Sequence, residues 1–383
     1  MMPLTIGFPY VADRFGGSNA SSLVLARALQ DAGHRVRILT HGGDGRVAEE
    51  AASLCLGVTR LPPLSGVPGY ARPDRFRVEQ LTAFRAARRA IAELQLDIVH
   101  TNDLTMLRAW AVPALAARIP LVAHWRSNFR ESWSVKAGLH AAAKVIAVSG
   151  YSFSRLPAWV RRKGVVEFNA FDLHMPPAER LAARAGLRRR LGLPPNAAIV
   201  GVFGNHVVRK RTHVLADVVA NIAATADGRP VFGLACGGRA EPYDHELDSK
   251  IAVFGLEQRL LRPGFVRPVE GWMAGCDAIL APATDEPLAR NVLEAMALEI
   301  PAIVSTDGGL PELVRDGKNG LLRDPYDISG WIAATRRILD QPDFAARLAA
   351  AGRATVADLT PERHAARVAS VYRSIPQFRS RAA

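Results

Sequence analysis

The chain has 383 residues, 49% of them hydrophobic and 22% charged, which are ordinary globular values for about two or three domains. No apolar run reaches the roughly 18 residues of a membrane span, and Leu4–Phe8 reads as a first strand because neither a basic leader nor a cleavage site accompanies it. Three widely spaced cysteines, Cys55, Cys236 and Cys276, give no disulfide framework and no metal-ligand spacing, and they suit a reduced cytoplasm. The formal net charge of +13 is uneven: residues 1–170 hold 22 Lys and Arg against 12 Asp and Glu (+10), and residues 171–383 hold 27 against 24 (+3). The first half therefore calls for an anionic partner. With aromatics at 7% and no nucleic-acid motif, a membrane surface or an anionic acceptor is expected, not nucleic acid.

In chain order, a strand at Thr5–Phe8 leads through Gly16-Gly17-Ser18 to a helix, Ala20 to Ala32, with Leu23, Ala26 and Leu29 at helical spacing. Gly33 ends it, and Val36–Thr40 is the next strand. This opening is Rossmann-like but lacks G-x-G-x-x-G, so NAD is not expected. Residues 60–76 form a Pro/Gly-rich loop. A helix from Arg77 to Leu94 then gathers Val78, Leu81, Phe84, Ile91 and Leu94 near one face, with Arg77, Arg85, Arg88 and Arg89 elsewhere as a solvated outer face. Asp97–Asn102 and Pro120–His124 are strands, the second delivering His124 at its carboxyl end, where ligand sites of α/β sheets form. Trp125, Arg126, Phe129, Arg130 and Trp133 follow as an acceptor or interface loop, and Val145–Ser149 is a further strand with its turn.

A linker at about 169–180 and a basic helix, Arg184 to Leu191, precede a second sheet that opens at Ala198–Gly204. Next come Asn205-His206-Val207-Val208-Arg209-Lys210-Arg211, a helix from Thr212 to Ala224, and a strand Val231–Cys236 turning at Gly237-Gly238. Ala278–Ala281 is a buried strand, and Ala302–Thr306 is another, ending at Gly308-Gly309. Between them, Pro at a first helical position predicts a helix from Pro287 to about Leu298. Trp331–Leu339, Phe344–Ala351 and Pro361–Tyr372 are the last helices.

Two carboxylates bracket the Pro287 helix. Glu286 and Glu294 should lie roughly 12 Å apart along its axis, with the amides of Leu288, Ala289 and Arg290 free at its N-terminus. A diphosphate on those amides, with a carboxylate on either side for hydroxyls, is the geometry that a nucleotide-sugar needs.

Glu286, seven residues, Glu294, then Ala295-Met296-Ala297 and Gly308-Gly309-Leu310-Pro311-Glu312 resemble the retaining glycosyltransferases of family 4. Nearly the whole chain shares the likeness, most strongly in its second half. The resemblance implies the α/β GT-B fold: two Rossmann-like domains facing across a cleft, with a C-terminal helix crossing back to the first. The acceptor domain would be residues 1–170 with about 360–383, and the donor domain 171–359. By the same resemblance Glu286 lies beside the donor hexose and Glu294 binds the ribose, while His124 stands near donor sugar and acceptor; Glu286 and His124 are the catalytic candidates. Gly16 and Gly17 would offer amides to the donor phosphate or acceptor. Asn205, Arg209 and Lys210 form the phosphate loop, and Val266, in Arg262–Val266, reads the base through its backbone. Asn169-Ala170-Phe171-Asp172 matches the turn at the domain junction. The chain departs from the pattern at Ala289 and Ala170, where Gly is common, at Asn205, where Arg is common, and at Asn102, which replaces a second His; Arg209 or Arg211 is the candidate to supply the missing charge.

The expected reaction is transfer of a hexosyl group from a nucleotide-sugar, UDP before GDP, to the hydroxyl of a saccharide or lipid-linked acceptor in glycan, lipid-linked saccharide or glycoconjugate biosynthesis. No D-x-D pair is evident, so neither metal nor cofactor is expected. The expected place is the cytoplasm, at the inner face of the membrane as a peripheral protein. The alternatives are a nucleotide-sugar epimerase on the same fold, and a non-catalytic protein that binds sugar-nucleotide or lipid surface.

Overall fold

The structure, a computed structural model, describes residues 3–13, 15–64, 76–127, 132–171, 175–238 and 244–379, the side chains of 76–80 and 379 apart. Phe129, Arg130, Asp172, most of the 60–76 loop and the side chains of Arg77 and Val78 lie outside the described residues.

Two compact units divide the chain, Met1–Asp172 with Leu359–Ala383, and Leu173–Asp358. The first holds a seven-stranded parallel sheet: β1 (Thr5–Val11), β2 (Arg35–His41), β3 (Gly57–Leu61), β4 (Ile98–Thr101), β5 (Leu121–Trp125), β6 (Lys144–Ala147) and β7 (Gly164–Val166), in the order β3-β2-β1-β4-β5-β6-β7. The second holds six parallel strands: β8 (Ala198–Phe203), β9 (Val231–Cys236), β10 (Leu260–Gly264), β11 (Ala278–Ala281), β12 (Ala302–Ser305) and β13 (Leu321–Arg323), in the order β10-β9-β8-β11-β12-β13. Helices cover both faces of a doubly wound sheet, so its central strands are apolar throughout. β8 (AIVGVF) and β11 (AILA) are buried at every position. Strand order reverses between β1 and β4 and between β8 and β11, and the crevice beyond the carboxyl ends at such a point is where open α/β sheets bind ligands.

The helix Pro361–Arg373 belongs to the first unit. Ala365, Val368 and Tyr372 join Ile6, Phe8, Leu29 and Ile98 in one core cluster.

Several boundaries differ from those expected. β1 runs past Phe8 through Pro9 to Val11; it pairs with β4 only at Ile6 and Gly7, so the donor that Pro9 lacks falls beyond the β4 ladder. The first helix begins at Gly17, drawing that glycine into its first turn with Gly16 as the N-cap. The helix expected at Thr212–Ala224 is Val214–Asn221, and the basic helix starts earlier, at Pro177. The largest difference concerns the helix between the two glutamates. It is Arg290–Ala297, starting three residues after Pro287, with Ala289 as N-cap. Proline disfavours helical backbone in the residue before it, and here the Glu286 carbonyl accepts from Gly309 N at 2.9 Å.

Candidate functional site

At the switch point of the second sheet the loop after β8 meets the loop after β11. Arg209 and Lys210 sit in one turn of 3-10 helix, Val208–Lys210, and the Arg209 carbonyl accepts from Thr284 N at 2.7 Å. That contact brings the cationic loop against the carboxylate. Lys210 Nζ lies 2.7 Å from Glu286 Oε2, and Arg209 donates to the same oxygen. Glu286 is only 7% exposed. Burial on its own would push its carboxyl up, but the charges of Lys210 and Arg209 outweigh it, and the net direction is down. Glu286 is thus held ionised.

Behind Glu286, the Gly308-Gly309 pair has a steric reason. Gly308 has φ +94°, and a Cβ there would lie 2.4 Å from the Glu286 carbonyl oxygen. The Asp307 carboxylate accepts from Asp285 N at 3.0 Å. Together these hold the chain out of helical form at Glu286, and the helix does not begin until Arg290. Leu288 and Ala289 accordingly lie before its first turn. Ala289 is buried with φ −77°, a conformation ordinary for any residue.

Glu294 takes Arg290 Nε at 2.5 Å across one helical turn. Burial is the largest influence on its carboxyl, and although Arg290 opposes it the direction is up. Glu270 and Arg267, in the segment just after Val266, also act on that charge, which places the Val266 loop on the Glu294 side of the site. Asn291 Nδ2 donates to the carbonyl of Phe203, tying the helix start to β8.

Asn205 carries no charge to the site; its Oδ1 accepts from Gly238 N at 3.1 Å. A Cβ on Gly237 would stand 2.0 Å from the Gly204 carbonyl, so the loops after β8 and β9 touch backbone to backbone. Arg211 is diverted, its guanidinium lying 4.4 Å from the centre of the Tyr326 ring. Arg209 is therefore the arginine that stands beside Glu286.

Gly16, Gly17 and His124 belong to the first unit. His124, at the end of β5, is buried, and so are His100 of β4 and His364 of the helix Pro361–Arg373. His100 Nε2 lies 3.1 Å from His124 Nδ1, His100 Nδ1 lies 2.6 Å from the Tyr372 hydroxyl, and Arg126 Nη2 lies 3.2 Å from His124 Nδ1. Burial first, and the Arg126 charge second, depress His100 and His124 well below the usual histidine range; burial likewise takes His364 to about 3. All three rings are neutral. No sequence signal pointed to His364 or Tyr372, which lie 240 or more residues from their partners.

Two family models match the chain, "Glycosyltransferase Family 4" over residues 15–173 and "Glycosyl transferases group 1" over residues 195–341. The chain belongs to glycosyltransferase family 4. Among curated relatives, it is 29% identical over 240 residues to a lipopolysaccharide core biosynthesis mannosyltransferase of Rhizobium meliloti, a match covering 60% of this chain and 65% of that protein. It is 30% identical over 214 residues to a D-inositol 3-phosphate glycosyltransferase of Corynebacterium urealyticum, covering 52% and 48%. The chain thus spans about half to two thirds of the length of these relatives. Among solved structures, Anabaena HepE in complex with UDP and glucose superposes with a TM-score of 0.81 at 22% identity, covering 97% of this chain and all of that one. That likeness, with the two doubly wound sheets, establishes the GT-B fold. Among the described residues no helix is long and apolar enough to cross a membrane.

Proposed function

We propose that the chain is a retaining hexosyltransferase that takes a UDP-sugar, or less readily a GDP-sugar, as donor and a hydroxyl group of a saccharide or lipid-linked saccharide as acceptor. The single observation that carries this reading is the buried Glu286 carboxylate clasped by Lys210 and Arg209 beside the helix that bears Glu294. In the reaction, the bond from the anomeric carbon to the diphosphate breaks and its electron pair leaves on the phosphate oxygen. The acceptor oxygen bonds to that carbon on the same face, and its proton passes to the departing diphosphate. Lys210, Arg209 and the amides from Arg290 onward meet the charge on the leaving group, without a metal ion. Glu286 orients the hexose and opposes positive charge at the anomeric carbon. Glu294 accepts hydrogen bonds from the ribose, Val266 reads the base through its backbone, and Asn205 fixes the loop against Gly238. Residues 171–359 would serve the donor and 1–170, with 360–383, the acceptor.

Relatives named as a mannosyltransferase and an inositol phosphate glycosyltransferase support transfer over epimerisation, and a fold neighbour holding UDP and glucose supports the choice of base. The basic first half favours work at an anionic membrane surface, in glycan or glycoconjugate assembly. The test is UDP or GDP release from a panel of nucleotide-hexoses with simple saccharide acceptors, the product anomer being read by proton NMR. Acceptor-dependent release with the donor's anomeric configuration kept is the expected result; inverted product, or epimerised donor without transfer, would replace this reading.

A further inference from the structure

The hydrogen bonds around His124 have a direction that can be worked out. A guanidinium has donors and no acceptor, so Arg126 Nη2, 3.2 Å from His124 Nδ1, makes that nitrogen an acceptor. A neutral ring with an acceptor at Nδ1 carries its proton on Nε2. His100 Nε2 faces the same His124 Nδ1 at 3.1 Å, so it too must donate, which leaves His100 Nδ1 as an acceptor. Tyr372, 2.6 Å away, then donates its hydroxyl proton to His100. The rings are fixed in place as well: Phe8 stacks on His100 with centroids 4.7 Å apart, and Arg126 is anchored through Nη1 on Asn169 Oδ1. At the end of the chain His124 Nε2, buried, has no hydrogen-bond partner among the described residues.

We propose that Tyr372, on the helix Pro361–Arg373, is a positioning residue that acts through His100 to lock His124 as its Nε2–H tautomer, presenting a hydrogen-bond donor to an oxygen of the bound sugar or acceptor. A buried N–H without a partner is unfavourable, and a ligand oxygen that relieves it gains accordingly. The opposite tautomer would offer a lone pair instead, which a hydroxyl could meet only by turning its own O–H to donate, and a ring or glycosidic oxygen could not meet at all. The role of His124 towards sugar rests on the transferase reading above; the tautomer does not.

The first test is nitrogen-15 NMR of the native protein with labelled histidine at pH 7, peaks being assigned by their loss in His124→Gln and His100→Gln. Pyrrole-like Nε2 and pyridine-like Nδ1 signals are expected for both rings. A pyrrole-like Nδ1 on His124, or an imidazolium, would overturn the proposal whatever the protein catalyses. The second is sugar transfer by two variants. His124→Gln places an amide N–H near the Nε2 position and should stay within about tenfold of native kcat. His124→Asn places it near Nδ1 and should lose about 100-fold; equal losses would refute the donor role. Tyr372→Phe should mix the His124 tautomers and lower kcat several-fold with little change in donor KM. A lowered melting point with native tautomers would make Tyr372 merely structural, and if that variant does not fold, the native spectrum and the His124 pair still decide. If the native protein moves no sugar from any donor, the transferase reading falls while the spectrum still tests the tautomer.

Discussion

Lys210 Nζ lies 2.7 Å from Glu286 Oε2, across 76 residues of sequence, and this contact makes the cationic loop and the carboxylate one device. In the proposed reaction the two cations serve Glu286 on one side and the diphosphate on the other. Lys210→Ala should therefore damage both: Glu286 keeps only Arg209, and UDP loses one cation. Titration calorimetry should show UDP binding weakened at least about tenfold, and turnover should fall at least about 100-fold. Undiminished UDP affinity would confine Lys210 to holding Glu286.

Gly308→Ala tests the support behind that carboxylate. A left-handed backbone at φ +94° and a Cβ 2.4 Å from the Glu286 carbonyl oxygen leave no room for alanine. The substitution should cost about 2 kcal/mol in urea denaturation and lower kcat as well, because relief must come by moving Glu286. A variant as stable and active as the native protein would mean that the glycine pair does not set the position of Glu286.

Glu294 lies where function opposes stability. Its folded pKa is raised from 4.5, chiefly by burial. Its ionisation is therefore favoured by unfolding: its contribution is most favourable below 4.5 and is lost as pH rises through the folded value. Glu294→Gln should melt higher than the native protein at pH 7 without ligand, the gain shrinking towards pH 4.5, while nucleotide binding weakens. Equal losses of melting temperature at both pH values would show the Arg290 pair to be a net support of the fold.

The buried His364 and His41 and the partly buried His213 predict acid sensitivity above the carboxylate range. His364 is held at about 3 and His41 and His213 at about 4, against an ordinary 6.5. The unfolded chain takes up these protons first as pH falls below about 6.5, so stability drops there, by up to about 1.4 kcal/mol per pH unit for each histidine. Glu286, depressed from 4.5, contributes only below that pH. Melting temperature should fall between pH 6.5 and 5, and less steeply in His364→Phe; a flat profile would place these rings in contact with solvent.

Most of the architecture was legible in the sequence because the central strands are apolar runs with nothing else to do but be buried. The short edge strands β3, β7 and β13 were not: Gly57–Leu61 and Gly164–Val166 are only partly buried and carry no run or alternation to mark them. The Glu286–Glu294 stretch was visible as a motif, but its geometry was misjudged. Pro287 satisfies the rule for a first helical residue, yet the Glu286 carbonyl is taken by Gly309 N and the helix begins only at Arg290. Arg209, Lys210 and Glu286 were each legible as candidates, and their meeting was not, since it depends on which strands lie side by side. Tyr372 and His364 gave no signal at all, because an amphipathic helix needs such residues for its core whether or not they touch a histidine.

The most direct test of the account is thermal stabilisation of the native protein and of Glu294→Ala by millimolar UDP, GDP, ADP and NAD. A ligand that binds only the folded state raises the midpoint with its occupancy. A rise with UDP is expected, a smaller one with GDP, none with NAD, and loss of the UDP effect in Glu294→Ala. A rise with NAD alone, or an unchanged UDP shift in the variant, would contradict a nucleotide-sugar site built on Glu286 and Glu294.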